Sequence, residues 1–112
     1  MLKWKNITLV CRDTAQLALQ QQLLAQVQPL IKVTVAANAR QLEAQLADHT
    51  PDLIIVLQVH DETIASHHFL RAIRKNPGFD KVPVYVYTIF PETKNLQDVH
   101  EQWRKLFSHL SL

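Results

Sequence analysis

The sequence has 112 residues, of which 47% are apolar and 20% are charged. This size and composition are typical of one globular domain with its own core, and we predict a single domain over residues 1–112. The formal net charge is only +2, and Lys and Arg are scattered, which does not favour nucleic-acid binding. No apolar run approaches the ~20 residues of a membrane span, and no signal peptide is predicted, so we expect a cytoplasmic protein without membrane contact.

Two scarce residue types, glycine and cysteine, limit the cofactors and covalent bonds that we expect in this chain. The chain contains one glycine, which argues against glycine-rich phosphate loops and dinucleotide motifs, so no cofactor is predicted. Its only cysteine, Cys11, cannot form an internal disulfide and follows an apolar run, which indicates a buried side chain in a reducing compartment.

The first half of the chain alternates strand and helix patterns. Ile7–Cys11 is a short β-rich run, and Thr14–Gln28 has apolar residues at a spacing of four, which predicts a helix. Ile31–Val35 alternates in polarity and predicts an outer strand. Asn38 is a candidate N-cap for a second helix, which holds Leu42.

The second half repeats the alternation. Leu53–Leu57 is apolar at every position, which is typical of a strand buried on both faces of a parallel sheet. Ile64–Lys75 predicts a third helix, and Val82–Thr88 a fourth strand. Apolar residues at steps of three and four from residue 96 to residue 110 predict a long final helix. The order β-α-β-α-β-α-β-α predicts an α/β domain, an open three-layer sandwich with a mostly parallel sheet.

Three stretches carry a resemblance to a known family. Pro51–Leu57 has the pattern Pro-Asp followed by an apolar run, and Phe69–Pro77 and Val82–Thr88 follow at matching distances. Over residues from about 6 to 90 the chain resembles a response-regulator receiver domain. The resemblance implies a flavodoxin-like fold with strand order 2-1-3-4.

The resemblance also implies a phosphorylation site, which this chain lacks in its usual form. The family accepts phosphate on an aspartate at the end of the third strand, and Leu57 occupies that position. Of the acidic pair that holds Mg²⁺ after the first strand, Asp13 matches one member, and either Arg12 or Cys11 replaces the other. Thr88 matches the phosphate-contacting hydroxyl, and the lysine of the fifth strand has no counterpart. We therefore predict no catalytic residue and no enzymatic activity.

A partner surface is predicted at the fourth strand and the last helix. Without a fifth strand, the uncharged fourth strand would be a sheet edge, which normally is covered or pairs with another chain. The predicted partner residues are Val84, Val86, Tyr87, Trp103 and Phe107. The expected partner is a second copy of the chain in a homodimer, or a signalling protein. The alternative is that the last helix and its preceding loop cover this edge within a monomer.

The sequence favours a non-catalytic, receiver-like interaction module of bacterial signalling that works without aspartyl phosphorylation. An alternative function is a small phosphotransfer protein, or one that binds a ligand or metal, using Cys11 or the cluster of His60, His67 and His68. The histidine spacing matches no standard metal site, so no metal ligand is predicted. A further alternative is a subunit whose sheet another protein completes.

Overall fold

The structure is a computed structural model that describes residues 5–48, 50–59, 63–79, 81–89, 101 and 103–105. The strands are β1 (Asn6–Val10), β2 (Lys32–Ala36), β3 (Leu53–Val59) and β4 (Val84–Ile89). The helices are α1 (Thr14–Val27), α2 (Ala39–Asp48) and α3 (Thr63–Lys75), followed by a short 3-10 turn at Pro77–Phe79. Residues 101 and 103–105 are helical, and the rest of the predicted final helix lies outside the described residues.

The four strands form one parallel sheet in the order β2-β1-β3-β4. This confirms the predicted α/β fold and strand order. β3 is two residues longer than predicted. β4 starts at Val84 rather than Val82, and Pro83, which has no N–H to donate to a ladder, immediately precedes it. In the described part of the chain no helix is long and apolar enough to cross a membrane.

The sheet buries a different core on each face because successive side chains of a strand alternate. On the α1 face, Leu53, Ile55 and Leu57 of β3 join the buried leucines of α1, together with Trp103. On the α2–α3 face, Ile54 and Val56 join buried residues of α2 and α3. All five residues from Leu53 to Leu57 are buried, which explains why this segment is apolar at every position.

Local polar contacts fix where the elements begin. Asn38 is hydrogen-bonded as predicted for an N-cap, since its Oδ1 accepts from the backbone N–H of Gln41 at 2.9 Å. The aspartate of the Pro-Asp pair, Asp52, accepts hydrogen bonds through Oδ2 from the backbone N–H groups of Lys5 (3.0 Å) and Asn6 (2.9 Å). Asp52 therefore ties the start of β1 to the start of β3, which is a structural role.

Candidate functional site

The position predicted to have lost its phosphate acceptor is part of the core. Leu57 is 3% exposed and lies on the α1 face, in the same core cluster as Ile89 and Trp103. Its neighbour in register on β4 is Tyr87, and the β3–β4 pairing continues past it to Val59 and Ile89. An apolar side chain in this setting can neither bind nor transfer a phosphoryl group.

A polar and aromatic cluster encloses this end of the α1 face. The ring of Trp103 stacks on that of Tyr87, with centroids 4.8 Å apart and planes at 12°. The Nε1–H of Trp103 donates to Oε1 of Gln20 at 2.8 Å, and both residues are buried. Burial, and secondarily the neighbouring Tyr85, raises the pKa of Tyr87 to about 12. Trp103 therefore connects the helical residues 103–105 to both α1 and β4.

This cluster corrects one part of the predicted partner surface. Trp103 is 0% exposed, so its indole is occupied inside the chain and is not presented to a partner. Helical periodicity had identified Trp103 as part of an apolar face without indicating what that face contacts. The other predicted aromatic residue of this surface, Phe107, lies outside the described residues.

The residues that follow β1 do not form an acidic pocket. Asp13 is the N-cap of α1, and its Oδ1 accepts from the backbone N–H of Gln16 at 3.1 Å. Arg12 is exposed, whereas Cys11 is 2% exposed and its backbone N–H donates to the carbonyl of Ala36. A buried thiol is poorly placed to attack a phosphodonor, which weighs against the alternative function based on Cys11.

The structure separates Thr88 from Leu57. Thr88 is exposed and in register with Gln58, one residue beyond Leu57. Because side chains in register share a face and neighbours alternate, Thr88 lies on the α2–α3 side and Leu57 on the α1 side. The hydroxyl and the former acceptor position therefore do not share a pocket.

A cavity of about 500 Å³ lies where Arg12 follows β1 and α2 begins. Arg12, Asn38, His68 and Phe69 line it, together with Ala37 and Ala39. No motif in the sequence predicts this cavity. The available signal was that Arg12 and Asn38 follow two neighbouring parallel strands, whose carboxyl ends share one edge of the sheet.

The predicted histidine cluster is only partly described. His67 and His68 are exposed on α3, and His60 lies outside the described residues. Among the residues that are described, no three His, Cys, Asp or Glu side chains come together as a metal site would require. The structure therefore gives no support to the metal-binding alternative.

β4 lies at an edge of the described sheet and directs backbone groups outward. The N–H of Ile54 donates to the carbonyl of Pro83 at 3.0 Å, which fixes the alternation of the β3–β4 ladder. The backbone groups of Tyr85 and Tyr87 consequently face β3, and those of Val84, Val86 and Thr88 face away. Val86 is 38% exposed, whereas Val84 and Tyr87 are half-buried.

Among the comparisons with known proteins, only the comparison of structures finds matches. No family model matches the chain, and no curated protein matches it. Solved receiver domains do match. The receiver domain of a signal transduction histidine kinase from Syntrophus aciditrophicus is 16% identical, with a TM-score of 0.62 over 94% of this chain and 91% of that one.

Two further solved structures match to a similar degree. A response regulator from Desulfuromonas acetoxidans is 17% identical, with a TM-score of 0.60 over 96% of this chain and 99% of that one. The receiver domain of a DNA-binding response regulator from Colwellia psychrerythraea 34H is 14% identical, with a TM-score of 0.60 over 93% and 98%. The chain therefore has the fold of a response-regulator receiver domain.

Proposed function

We propose that this chain is a receiver-like signalling module of the bacterial cytoplasm that acts through protein–protein contacts without phosphorylation on aspartate. The observation that carries the proposal is the burial of Leu57 in the core, at the position that matches the phospho-acceptor. A receiver accepts phosphate through a carboxylate nucleophile, which leucine lacks.

The surrounding charges support the same proposal. A transferred phosphoryl group is stabilised by a divalent cation and positive groups around it. Here Asp13 is used as a helix cap, and the adjacent Arg12 brings a positive charge into the stretch Cys11–Asp13 that matches the family's acidic pair. Both features disfavour Mg²⁺ binding, so the module is proposed to be non-enzymatic and independent of a metal.

Acetyl phosphate with Mg²⁺ provides the direct test, with intact-mass spectrometry as the readout. We expect no phosphorylated species, while a receiver domain with its aspartate, treated in parallel, gains the mass of one phosphoryl group. A phosphorylated form of this chain would overturn the proposal. Peptide mapping would then show whether the modified residue is Asp13, a histidine or Cys11.

We further propose that β4 pairs with β4 of a second copy across a two-fold axis. Val84, Val86 and Thr88 direct their N–H and C=O groups away from β3, and no residue of β4 is charged. Within the described residues no other strand pairs with this outer edge of β4. An uncharged edge with unpaired backbone groups is a template for another strand, and a two-fold pairing would join two sheets into one.

The substitution V86P tests this pairing with little effect on the monomer. The N–H of Val86 points away from β3, so proline removes an outward donor and leaves the β3–β4 ladder intact. We expect the wild-type chain to sediment as a dimer and V86P as a monomer. V86T keeps the N–H and serves as the matched control. A wild-type monomer at high concentration, or a V86P dimer, would refute this interface.

A further inference from the structure

Positive charge is concentrated on one helix of the fold. α3 contains Arg71, Arg74 and Lys75 and no acidic residue, and the sequence places Asp61, Glu62 and Asp80 beyond its two ends. By contrast, α1 contains no charged residue, and α2 carries Arg40 with Glu43 and Asp48. Together α2 and α3 carry four basic and two acidic residues, so this side of the molecule is positively charged.

Two of these cations, Arg71 and Lys75, line a groove between α2 and α3. The cavity of about 500 Å³ beside Arg12 is bounded by Ala39 and His68. A second cavity, of about 370 Å³, is bounded by the same two residues and by Glu43, Arg71, Ala72 and Lys75. The two cavities share a wall and form one groove, which we call the α2–α3 groove.

The spacing along α3 gives this groove a regular cationic wall. Residues three and four apart share one side of a helix, so His68, Arg71 and Lys75 follow one line along the groove. Arg12 adds a positive charge at the end beside β1. Arg74 lies outside this line and, with His67 and Leu70, borders a further cavity of about 400 Å³, which Arg71 and Lys75 also line.

The lining is both cationic and apolar. Ala39, Ala72 and Phe69 contribute apolar surface, and the two alanines are small enough to leave room between the helices. Across the described part of the chain, no ion pair engages Arg71 or Lys75, and both side chains are exposed. Their charges are consequently available to an incoming anionic group.

We infer that the α2–α3 groove binds an acidic peptide segment of a partner protein, in which carboxylates alternate with small apolar residues. The carboxylates would pair with Arg71, Lys75 and Arg12, and the apolar residues would contact the alanines and Phe69. This inference rests on the proposed function as an interaction module and adds the chemistry of its partner.

Two features favour a peptide over a nucleic acid. Glu43 lies within the groove and would repel a closely spaced phosphate backbone, whereas a peptide can place an apolar or amide group beside it. The apolar lining also contributes to binding only if the ligand has apolar side chains to bury. A phosphate chain would use the cations and leave that surface unused.

Fluorescence anisotropy with a fluorescein-labelled peptide of repeated Glu-Ala-Glu-Leu units tests the inference. We expect saturable binding that weakens with added salt, and amide shifts on α2 and α3 in heteronuclear NMR spectra. R71E and K75E should each weaken binding about tenfold, since truncating or reversing a paired charge at an interface has effects of this order. The matched control R104E makes the same charge change at an exposed arginine next to Trp103, which packs on the α1 face, and should weaken binding no more than about threefold.

Several results would overturn the inference. Absence of binding, equal binding of a peptide in which lysine replaces glutamate, or an equal loss in R104E and R71E would each do so. Tighter binding of single-stranded oligothymidine than of the acidic peptide would instead identify a nucleic-acid site. Failure here leaves the acetyl phosphate and sedimentation results unaffected, so the two proposals fail separately. Unchanged circular dichroism of the exposed-site variants verifies that they fold.

Discussion

Replacing Leu57 by aspartate introduces the residue type of a receiver at this position but should strongly destabilise the fold. Leu57 is 3% exposed, and burial of a leucine side chain contributes about 1.5–3 kcal/mol. A carboxyl group buried without hydrogen-bond partners costs about another 1–3 kcal/mol even when neutral. The sum, about 2.5–6 kcal/mol, is a large part of the roughly 5–15 kcal/mol that stabilises a small domain.

The pH dependence of the stability of L57D distinguishes burial of the carboxyl group from other causes of destabilisation. A low-dielectric environment favours the neutral carboxyl, so its pKa in folded L57D lies above the unfolded value of about 3.9. The folded state then binds more protons than the unfolded state between these two pKa values, and stability falls as pH rises through that interval. L57D should be least damaged in acid and most damaged at neutral pH. Arg12 does not offset this effect, because it lines a cavity on the α2–α3 side while Leu57 lies on the α1 side.

Urea unfolding of L57D and L57N between about pH 4 and pH 7 provides the assay, with the acidic limit set near the unfolded carboxyl pKa. L57N has nearly the same shape and polarity but does not titrate, so its deficit relative to the wild type should stay constant with pH. The stability difference between L57N and L57D should widen toward neutral pH. A difference that does not change with pH, or an L57D variant as stable as the wild type, would place residue 57 in a solvated pocket and refute the argument for a closed site.

Three further predictions concern the cluster around Trp103 and the cap of α1. Q20M removes the acceptor of the Trp103 Nε1–H and should destabilise the chain by about 1–3 kcal/mol in urea unfolding; an unchanged midpoint would contradict the buried hydrogen bond. In an ultraviolet titration, Tyr87 should ionise with a pKa of about 12, and Y87F should lose that phase. Its stabilising contribution is present below its ordinary pKa of 10.0 and is lost as pH rises toward 12. D13A should cost about 1 kcal/mol and D13S much less, whereas equal losses would argue against capping.

The parts of the fold that the sequence predicts are those that depend on residues close together in the chain. The run Leu53–Leu57 predicted a central strand because burial on both faces leaves no position for a polar side chain. The cap at Asn38 was predictable because its hydrogen bond spans only three residues. Strand order followed from the resemblance, since a periodic pattern identifies strands without showing which of them are neighbours.

The site was less predictable because its contacts are distant in sequence. Gln20 and Trp103 are 83 positions apart, and a glutamine within a helix gives no sign that it accepts a buried indole hydrogen bond. Asp13 follows a strand, where a carboxylate can equally be a metal ligand or a helix cap, and only the structure distinguishes these roles. Thr88 matched a family position, but its face of the sheet depends on the β3–β4 register, which the sequence does not specify.

The two faces of the sheet differ: one contains the closed core around Leu57, and the other carries the proposed binding groove. The α1 face is closed around Leu57 by Tyr87 and Trp103, which leaves no opening for a phosphodonor at that position. Trp103 also stacks on Tyr87, so the helical residues 103–105 are held against this face. The exposed cations of the α2–α3 groove lie on the opposite face, along α3 and at Arg12, with a full layer of β-sheet between them and Leu57. On the proposed function, we expect a partner of the α2–α3 groove to bind with the same affinity before and after treatment of the chain with acetyl phosphate and Mg²⁺, because the core around Leu57 is closed.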